Sequence, residues 1–165
     1  MAVSRLVRAE LARHDWGRLR CGCGQSGAHL PGTFETILEA AEPGEALGAR
    51  LDNHLEISGN LFEVAVPAVE VILAALAGPL PDFARVELLD MLAVLVSGDS
   101  YAGQPADLGE HCRLKARNGL WTILQVGYEH EAETARDILW TVDPDQPRSG
   151  YHAMGLEKRI KRKRR

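Results

Sequence analysis

The segment that decides the fold is Asn60–Ala77, which reads NLFEVAVPAVEVILAALA. It is apolar on nearly every side, and only Glu63 and Glu70 interrupt it, seven residues apart on one helical face. A helix that is apolar on most sides is a buried one. We therefore expect a central helix here, with a kink or an interruption near Pro67, because proline removes a backbone hydrogen-bond donor.

On both sides of this segment, apolar residues recur at the three- and four-residue spacing of amphipathic helices. No stretch shows the sustained alternation of a strand. Gly119 is expected to weaken or divide one helix, because glycine is a poor helix former. The sequence thus predicts an all-α fold of about seven antiparallel helices, with well over half of the residues helical and no sheet of three or more strands. The six flanking helices are expected near residues 2–14, 31–42, 44–57, 81–97, 108–126 and 130–142.

The length and composition fit one folded domain. The chain has 165 residues, and 45 % of them are hydrophobic, which is enough for a single buried core. The first residues contain scattered arginines and no apolar block, so no secretory signal is expected. No uncharged apolar run approaches the roughly 20 residues of a membrane span. We expect a cytoplasmic protein with one helical domain over residues 1–155 and a flexible basic tail over residues 156–165.

The net charge of −4 hides a strong asymmetry. Residues 31–110 carry fourteen acidic side chains and two basic ones, whereas residues 156–165 carry seven basic side chains and one acidic one. A surface of the first kind repels nucleic acid and attracts basic partners. A merely solvated surface is the plainer interpretation, and acid–base catalysis by carboxylates four residues apart is another. The candidate partner-binding residues are Glu35, Glu39, Asp52, Glu56, Glu63 and Glu70.

Two cysteines, Cys21 and Cys23, are separated by one glycine. Thiolates at this spacing can both reach a soft metal, and His14 and His29 flank them. A structural zinc site, however, needs four ligands, usually in Cys-x2–4-Cys pairs, and Cys112 is remote in sequence. A zinc site, a redox pair and ordinary loop cysteines all stay open, so the sequence alone assigns no metal ligand and no cofactor.

The sequence contains no recognisable catalytic constellation. It has no Ser-His-Asp signature, no glycine-rich phosphate loop and no His-Glu-x-x-His motif. His111 and Cys112 are adjacent, so on a helix they face different sides and cannot pair as base and nucleophile. We therefore expect a protein that is not an enzyme.

The three tryptophans, Trp16, Trp121 and Trp140, lie on apolar helical stripes or beside them. Packing in the core is the expected role for all three. An exposed tryptophan would instead indicate an interaction hot spot.

Three runs near the N-terminus give a Trp and a Leu, then a glycine-containing turn, then a helix: Trp16–Leu19 (WGRL), Gly24–Gly27 (GQSG) and Phe34–Leu38 (FETIL). Later runs are Ala65–Val69 (AVPAV), at the start of the buried helix, and Thr134–Leu139 (TARDIL). Together they resemble bacterial HEAT-repeat-like proteins, a group that includes toxin-immunity partners.

The resemblance covers about residues 15–145 and implies a right-handed stack of helix pairs without catalytic residues. Such stacks leave an extended concave surface for binding. With the acidic charge, this predicts a non-enzymatic domain that binds a basic protein partner, in the manner of an immunity protein neutralising a basic toxin. The alternative is nucleic-acid binding through the basic tail, because such runs often serve as interaction arms. A third class is a metal- or redox-dependent enzyme centred on Cys21 and Cys23.

Overall fold

A computed structural model describes residues Ala2–Arg164, and 66 % of these residues are helical. This confirms the all-α class and the helical majority that the sequence predicts. The described residues form eight α-helices, joined by loops and short 3₁₀ turns. The helices are α1 Arg5–Arg13, α2 Leu30–Glu39, α3 Ala65–Leu76, α4 Asp82–Ser97, α5 Leu108–Asn118, α6 Leu120–Glu129, α7 Ala132–Val142 and α8 Gln146–Lys163. Among them, no helix combines the length and apolar composition that crossing a bilayer requires.

The centre of the fold is α3, as the apolar segment predicts. Nine of its twelve residues are buried, and it packs against α1, α4, α5 and α6. The helix begins at Ala65 and not at Asn60, so the predicted helix started too early. Pro67 consequently lies in the first turn, where a missing backbone N–H removes no intrahelical bond and causes no kink.

Helices α4 to α8 pack mainly against one another and α3, and α7 contacts each of the other four, α4, α5, α6 and α8. The predicted sixth helix is divided at Gly119 into α5 and α6, as expected. A side chain at Gly119 would bring its Cβ to 2.5 Å from Leu73 Cδ2, so glycine lets the α5–α6 corner close onto α3.

The predicted third helix does not exist. Residues Pro43–Ala46 form a 3₁₀ turn, and an irregular loop follows to β1. Within that loop, Gly48 and Asn53 have φ angles of 90° and 62°, a left-handed conformation that no α-helix contains. Leu51 and Leu55 are buried all the same, which explains why the segment shows an apolar stripe without being helical.

A three-stranded sheet is present, contrary to the sequence prediction, although each strand has only two residues. Strand β1 (Glu56–Ile57) pairs antiparallel with β2 (Asn60–Leu61), which pairs parallel with β3 (Asp99–Ser100). The connection between β1 and β2 is Ser58–Gly59, and both residues have positive φ. Two such residues form the tight turn whose twist suits a hairpin.

Helix α8 includes most of the segment that the sequence predicts as a flexible tail. Asp145 caps its first turn by accepting from the Arg148 backbone N–H at 3.1 Å, and Pro147 follows at the favourable start of the helix. Ala153 and Leu156 are buried against the rest of the fold. These two apolar residues are the main sign of a helix in the sequence, and the run of basic residues that follows them makes the helical pattern hard to recognise.

Candidate metal centre

Four metal-ligating side chains converge at the N-terminal end of α2. The Sγ atoms of Cys21 and Cys23, Nε2 of His29 and Nδ1 of His54 offer one ligand atom each, and the four groups can come within 4.8 Å of one another. The two sulfurs lie 3.4 Å apart, and His29 Nε2 lies 3.0 Å from His54 Nδ1. Cys21 Sγ lies 3.3 Å from His54 Nδ1 and 3.9 Å from His29 Nε2.

These distances match a tetrahedral zinc site. With Zn–S of about 2.3 Å and Zn–N of about 2.0–2.1 Å, two sulfurs lie about 3.8 Å apart, a sulfur and a nitrogen about 3.5 Å, and two nitrogens about 3.4 Å. The four pair distances that involve Cys21 or join the two histidines agree within about 0.4 Å with that geometry, and Cys23 Sγ lies within 4.8 Å of both histidine nitrogens. The cluster is therefore of a size that can hold one zinc ion.

A tight turn brings the two thiols to one side. The Gly24 N–H donates to the Cys21 carbonyl at 3.1 Å, and the Cys21 N–H donates to the Gln25 carbonyl at 3.1 Å. Gly24 has a φ of 82°, which favours glycine at this position. The turn is thus stabilised by its own backbone hydrogen bonds, and it brings the two cysteines close together.

Gly22, between the cysteines, joins the turn to the loop that carries His54. Its N–H donates to the His54 carbonyl at 2.8 Å. A Cβ here would lie 2.6 Å from the carbonyl oxygen of Asn53, so a larger residue would push the two segments apart. The glycine therefore explains how a histidine more than thirty positions away reaches the cysteines.

His29 is oriented by its other ring nitrogen. It ends the 3₁₀ turn Gly27–His29, which leads directly into α2. Its Nδ1 lies 3.1 Å from the Ser26 carbonyl oxygen, which accepts a hydrogen bond only from a protonated Nδ1. In the neutral ring this leaves Nε2 with a free lone pair, as metal-binding histidines require.

The protonation of the cluster follows from its burial. Burial raises the pKa of the Cys21 thiol to about 11, although Cys23 beside it is exposed. Burial and the neighbouring His29 lower the pKa of His54, so its ring is neutral near pH 7. A divalent cation must displace the thiol protons when it binds, and its affinity therefore rises with pH.

Of the flanking histidines in the sequence, His29 belongs to the cluster and His14 does not. His14 lies 3.6 Å from Glu10 and 3.5 Å from Glu70, a second group of possible ligands. The Arg13 guanidinium lies 2.9 Å from Glu10 and 2.8 Å from Glu70. A cation already neutralises these carboxylates, so the second group is an ion-pair network and not a metal centre.

The predicted partner-binding acids have different surroundings. Glu63 pairs with Arg20, whose backbone N–H and side chain lower the pKa of Glu63 by hydrogen bonding. Asp52 pairs with Arg50 at 2.5 Å, and the Glu56 carboxylate accepts from the Gly59 N–H at 2.7 Å. Glu70 bonds Arg13 and Lys115, whereas Glu35 and Glu39 are exposed on α2. That the six acids form one docking surface stays a prediction.

The remaining candidates divide between core and surface. Cys112 is fully buried, and burial raises the pKa of its thiol to about 12. Trp16 packs in the core, as predicted, and its Nε1–H donates to the Leu11 carbonyl at 2.8 Å. The prediction of core packing is wrong for Trp121 and Trp140, which are 65 % and 49 % exposed.

Sequence reasoning identified three of the four ligands as candidates and missed His54. The reason is that His54 lies within residues 44–57, where the sequence predicts a helix and the structure has an irregular loop. A signal was present in Gly48, Asn53 and Ser58–Gly59, all residues typical of turns. No protein family, curated protein or solved structure matches the chain.

Proposed function

We propose that the protein binds one zinc ion through Cys21, Cys23, His29 and His54, and that the ion is a structural centre of the fold. The observation that carries this proposal is the convergence of four ligand atoms at distances suited to tetrahedral coordination. A set of two thiolates and two imidazoles is the type that zinc favours in structural sites. Four protein ligands leave no open position for substrate, which favours a structural over a catalytic role.

The proposed role follows from what the site joins. The ligands come from the cysteine turn, the 3₁₀ turn before α2 and the loop before β1. These three segments lie outside the α-helices and have few regular backbone hydrogen bonds. A zinc ion bound by all three would therefore hold them together. Zinc binding to such a site contributes directly to the free energy of folding.

The test is metal analysis of the full chain, followed by cobalt substitution. We expect one zinc ion per chain, and a tetrahedral cobalt absorption spectrum with sulfur-to-metal charge transfer after exchange. The variants Cys23→Ser and His54→Ala should lose both, while Cys112→Ala and His111→Ala, which alter a buried thiol and an exposed imidazole, should keep both. The proposal fails if the wild-type chain, prepared without chelator, takes up neither metal.

The redox-pair alternative has a separate readout. The two sulfurs lie 3.4 Å apart as free thiols, well beyond the roughly 2.05 Å of a disulfide. A thiol titration under air that finds Cys21 and Cys23 oxidised in the absence of bound metal would favour the redox pair over zinc.

We propose protein binding as a second candidate function, through α2. The supporting observation is that Glu35 and Glu39 are exposed there, followed by exposed Glu42 and Glu45, while residues 21–49 contain no lysine or arginine. A surface of this charge suits a basic partner, as in the immunity-protein interpretation. We also propose that the helices form a HEAT-like right-handed stack, the type of fold that the immunity-protein interpretation implies.

Charge reversal tests this second function. Glu35→Lys with Glu39→Lys should slow association with poly-lysine and flatten its salt dependence, because exposed charges mainly affect the association rate. Glu129→Lys and Glu133→Lys, on exposed positions of the C-terminal helices, serve as the control. If both pairs of substitutions slowed association equally, the effect would come from the net charge of the protein and not from a docking surface on α2.

A further inference from the structure

A cluster of exposed aromatic rings lies on α6 and α8. Trp121 on α6 is 65 % exposed, and Tyr151 on α8 is 75 % exposed. Both rings, together with Tyr128, contact His152 edge-on, at centroid distances of 6.1, 5.4 and 5.8 Å. Tyr128 Oη also lies 3.1 Å from His152 Nδ1. The rings thus support one another at the surface and leave large apolar faces open to solvent, which usually indicates a binding site.

The helices are close enough to make one continuous face. A Cβ at Gly155 would lie 2.4 Å from Tyr128 Oη, so the absence of a side chain at Gly155 leaves room for the Tyr128 ring against α8. The Arg159 guanidinium donates to the Glu129 carbonyl at the C-terminus of α6, which fixes the crossing from the other side. The aromatic cluster is therefore rigidly placed beside the basic half of α8.

A basic groove continues from the aromatic cluster. It has a volume of about 510 Å³ and is lined by Tyr128, Gly155, Lys158, Arg159, Arg162 and Lys163. Among the described residues, the lining has four cations and no carboxylate. From Tyr151 to Arg162 the helix rises about 16 Å, so rings and cations share one strip long enough for a few nucleotides.

We infer that this strip, the aromatic cluster and the basic groove, binds single-stranded nucleic acid. Exposed rings give unpaired bases a stacking platform, and the adjacent cations neutralise phosphates, the combination used for single strands without sequence preference. A duplex hides its base faces and would leave the rings unused. Helix α8 carries six basic side chains and one acidic one, Glu157, so it is locally basic although the net charge of the chain is −4.

An anionic membrane is the competing occupant, because interfacial helices also combine aromatic and basic residues. Such helices need a free apolar face to enter the headgroup region. Between Tyr151 and Lys163, the aliphatic residues Ala153 and Leu156 are buried and Ile160 is partly buried against the core, which leaves Met154, 62 % exposed, as the one exposed aliphatic side chain. The strip therefore offers stacking rings and cations, but a single aliphatic side chain to insert into lipid.

The test uses fluorescence anisotropy of the full chain with a labelled oligo-dT of about 20 nucleotides, between about 50 and 200 mM NaCl. Trp121→Ala should weaken binding about tenfold without changing the salt dependence, because it removes stacking. Lys158→Gln with Arg162→Gln should weaken binding and lower the slope of log affinity against log salt by about 1.4. The matched controls are Trp140→Ala and Lys161→Gln, an exposed tryptophan on α7 and an exposed lysine outside the groove, and both should bind like the wild type.

Three results would overturn the inference. The first is no saturable binding of oligo-dT at the lowest salt, or loss of binding in the control variants to the same degree. The second is tighter binding of vesicles of phosphatidylcholine and phosphatidylserine than of oligo-dT. The third is self-association in sedimentation that Lys158→Gln with Arg162→Gln abolishes, which would assign the strip to a second copy of the chain.

Discussion

The N-terminal region, residues 14–64, and the C-terminal region, residues 65–163, are held together in different ways. In the C-terminal region, the four helices α5 to α8 follow one another with connections of one to three residues, and most backbone hydrogen bonds span four residues. In the N-terminal region, decisive bonds span tens of residues, such as Gly22 to His54 and Arg20 to Glu63. Local periodicity therefore defines one region, while the other depends on distant contacts and, in our proposal, on a zinc ion.

Removing zinc should have the largest effect, and that effect should stay in the N-terminal region. Structural zinc contributes on the order of 10 kcal/mol to the folding of small domains, so a strong chelator should accelerate amide hydrogen exchange there by far more than tenfold. Amides of α6 and α7 should keep most of their protection. Exchange followed by mass spectrometry, with and without chelator, measures both regions at once. Equal acceleration in both would mean that the molecule opens as one unit.

Gly22→Ala should have the next largest effect. Its new Cβ would lie 2.6 Å from the Asn53 carbonyl oxygen, so the cysteine turn and the His54 loop must separate. We expect a loss of about 2–3 kcal/mol in the free energy of unfolding, together with weaker metal binding. The control is Gly32→Ala on α2, where a Cβ meets nothing within 4 Å and a gain of up to about 1 kcal/mol is expected. Urea denaturation and a competitive metal titration are the measurements. An unchanged metal affinity would mean that the contact between Gly22 and Asn53 does not affect the proposed metal site.

The junction between α7 and α8 is a place where the stability of the C-terminal region depends on one group of polar side chains. Hydrogen bonds from Arg148, opposed by burial, lower the pKa of Asp143 from 3.8 to about 2, and Ser149 Oγ also donates to Asp143 at 3.0 Å. The folded pKa lies below the unfolded one, so this stabilisation of about 2 kcal/mol is complete above about pH 4–5 and lost as pH falls through about 2.

Asp143→Asn should therefore be destabilised by about 2 kcal/mol at pH 7, and the difference from the wild type should shrink on acidification. Asp137→Asn, at a position with its side chain 60 % exposed, should cost less than about 0.5 kcal/mol at pH 7. Urea denaturation at several pH values measures both. A difference that does not depend on pH would contradict the lowered pKa.

Leu47→Ser should have the smallest effect. Leu47 is 85 % exposed, so we expect a change of less than about 0.5 kcal/mol in the free energy of unfolding. Had the predicted third helix formed with this residue on its buried face, truncation would cost about 2–5 kcal/mol. Thermal denaturation of this variant thus tests the irregular loop directly. A large loss of stability would favour the predicted helix over the loop.

The sequence predicted the C-terminal region well because its signals are local. The apolar pattern of α3, the break at Gly119 and the end of α7 before Asp143 each follow from residues within a few positions. Helix α8 was not predicted, because its buried residues Ala153 and Leu156 lie only three residues apart and a run of basic residues follows them.

The metal centre was harder to predict because its geometry is not local. The cysteine pair was visible, but the fourth ligand depended on the Gly22 contact with Asn53, which no periodicity reveals. An apolar stripe at Leu47, Leu51 and Leu55 was compatible with a helix, although Leu47 is exposed and the other two pack from an irregular loop. Apolar spacing alone cannot distinguish a buried helix from an irregular loop that buries two leucines.

The central position of α3 has a consequence for synthesis on the ribosome. All four proposed zinc ligands precede α3 in the chain, whereas α4, α5 and α6, which pack against α3, end only at Glu129. At roughly 5–20 residues per second, those helices take roughly 3–10 seconds to be translated after Leu76. The nascent chain can thus complete its metal-ligand set while its most apolar helix is still uncovered and open to chaperones.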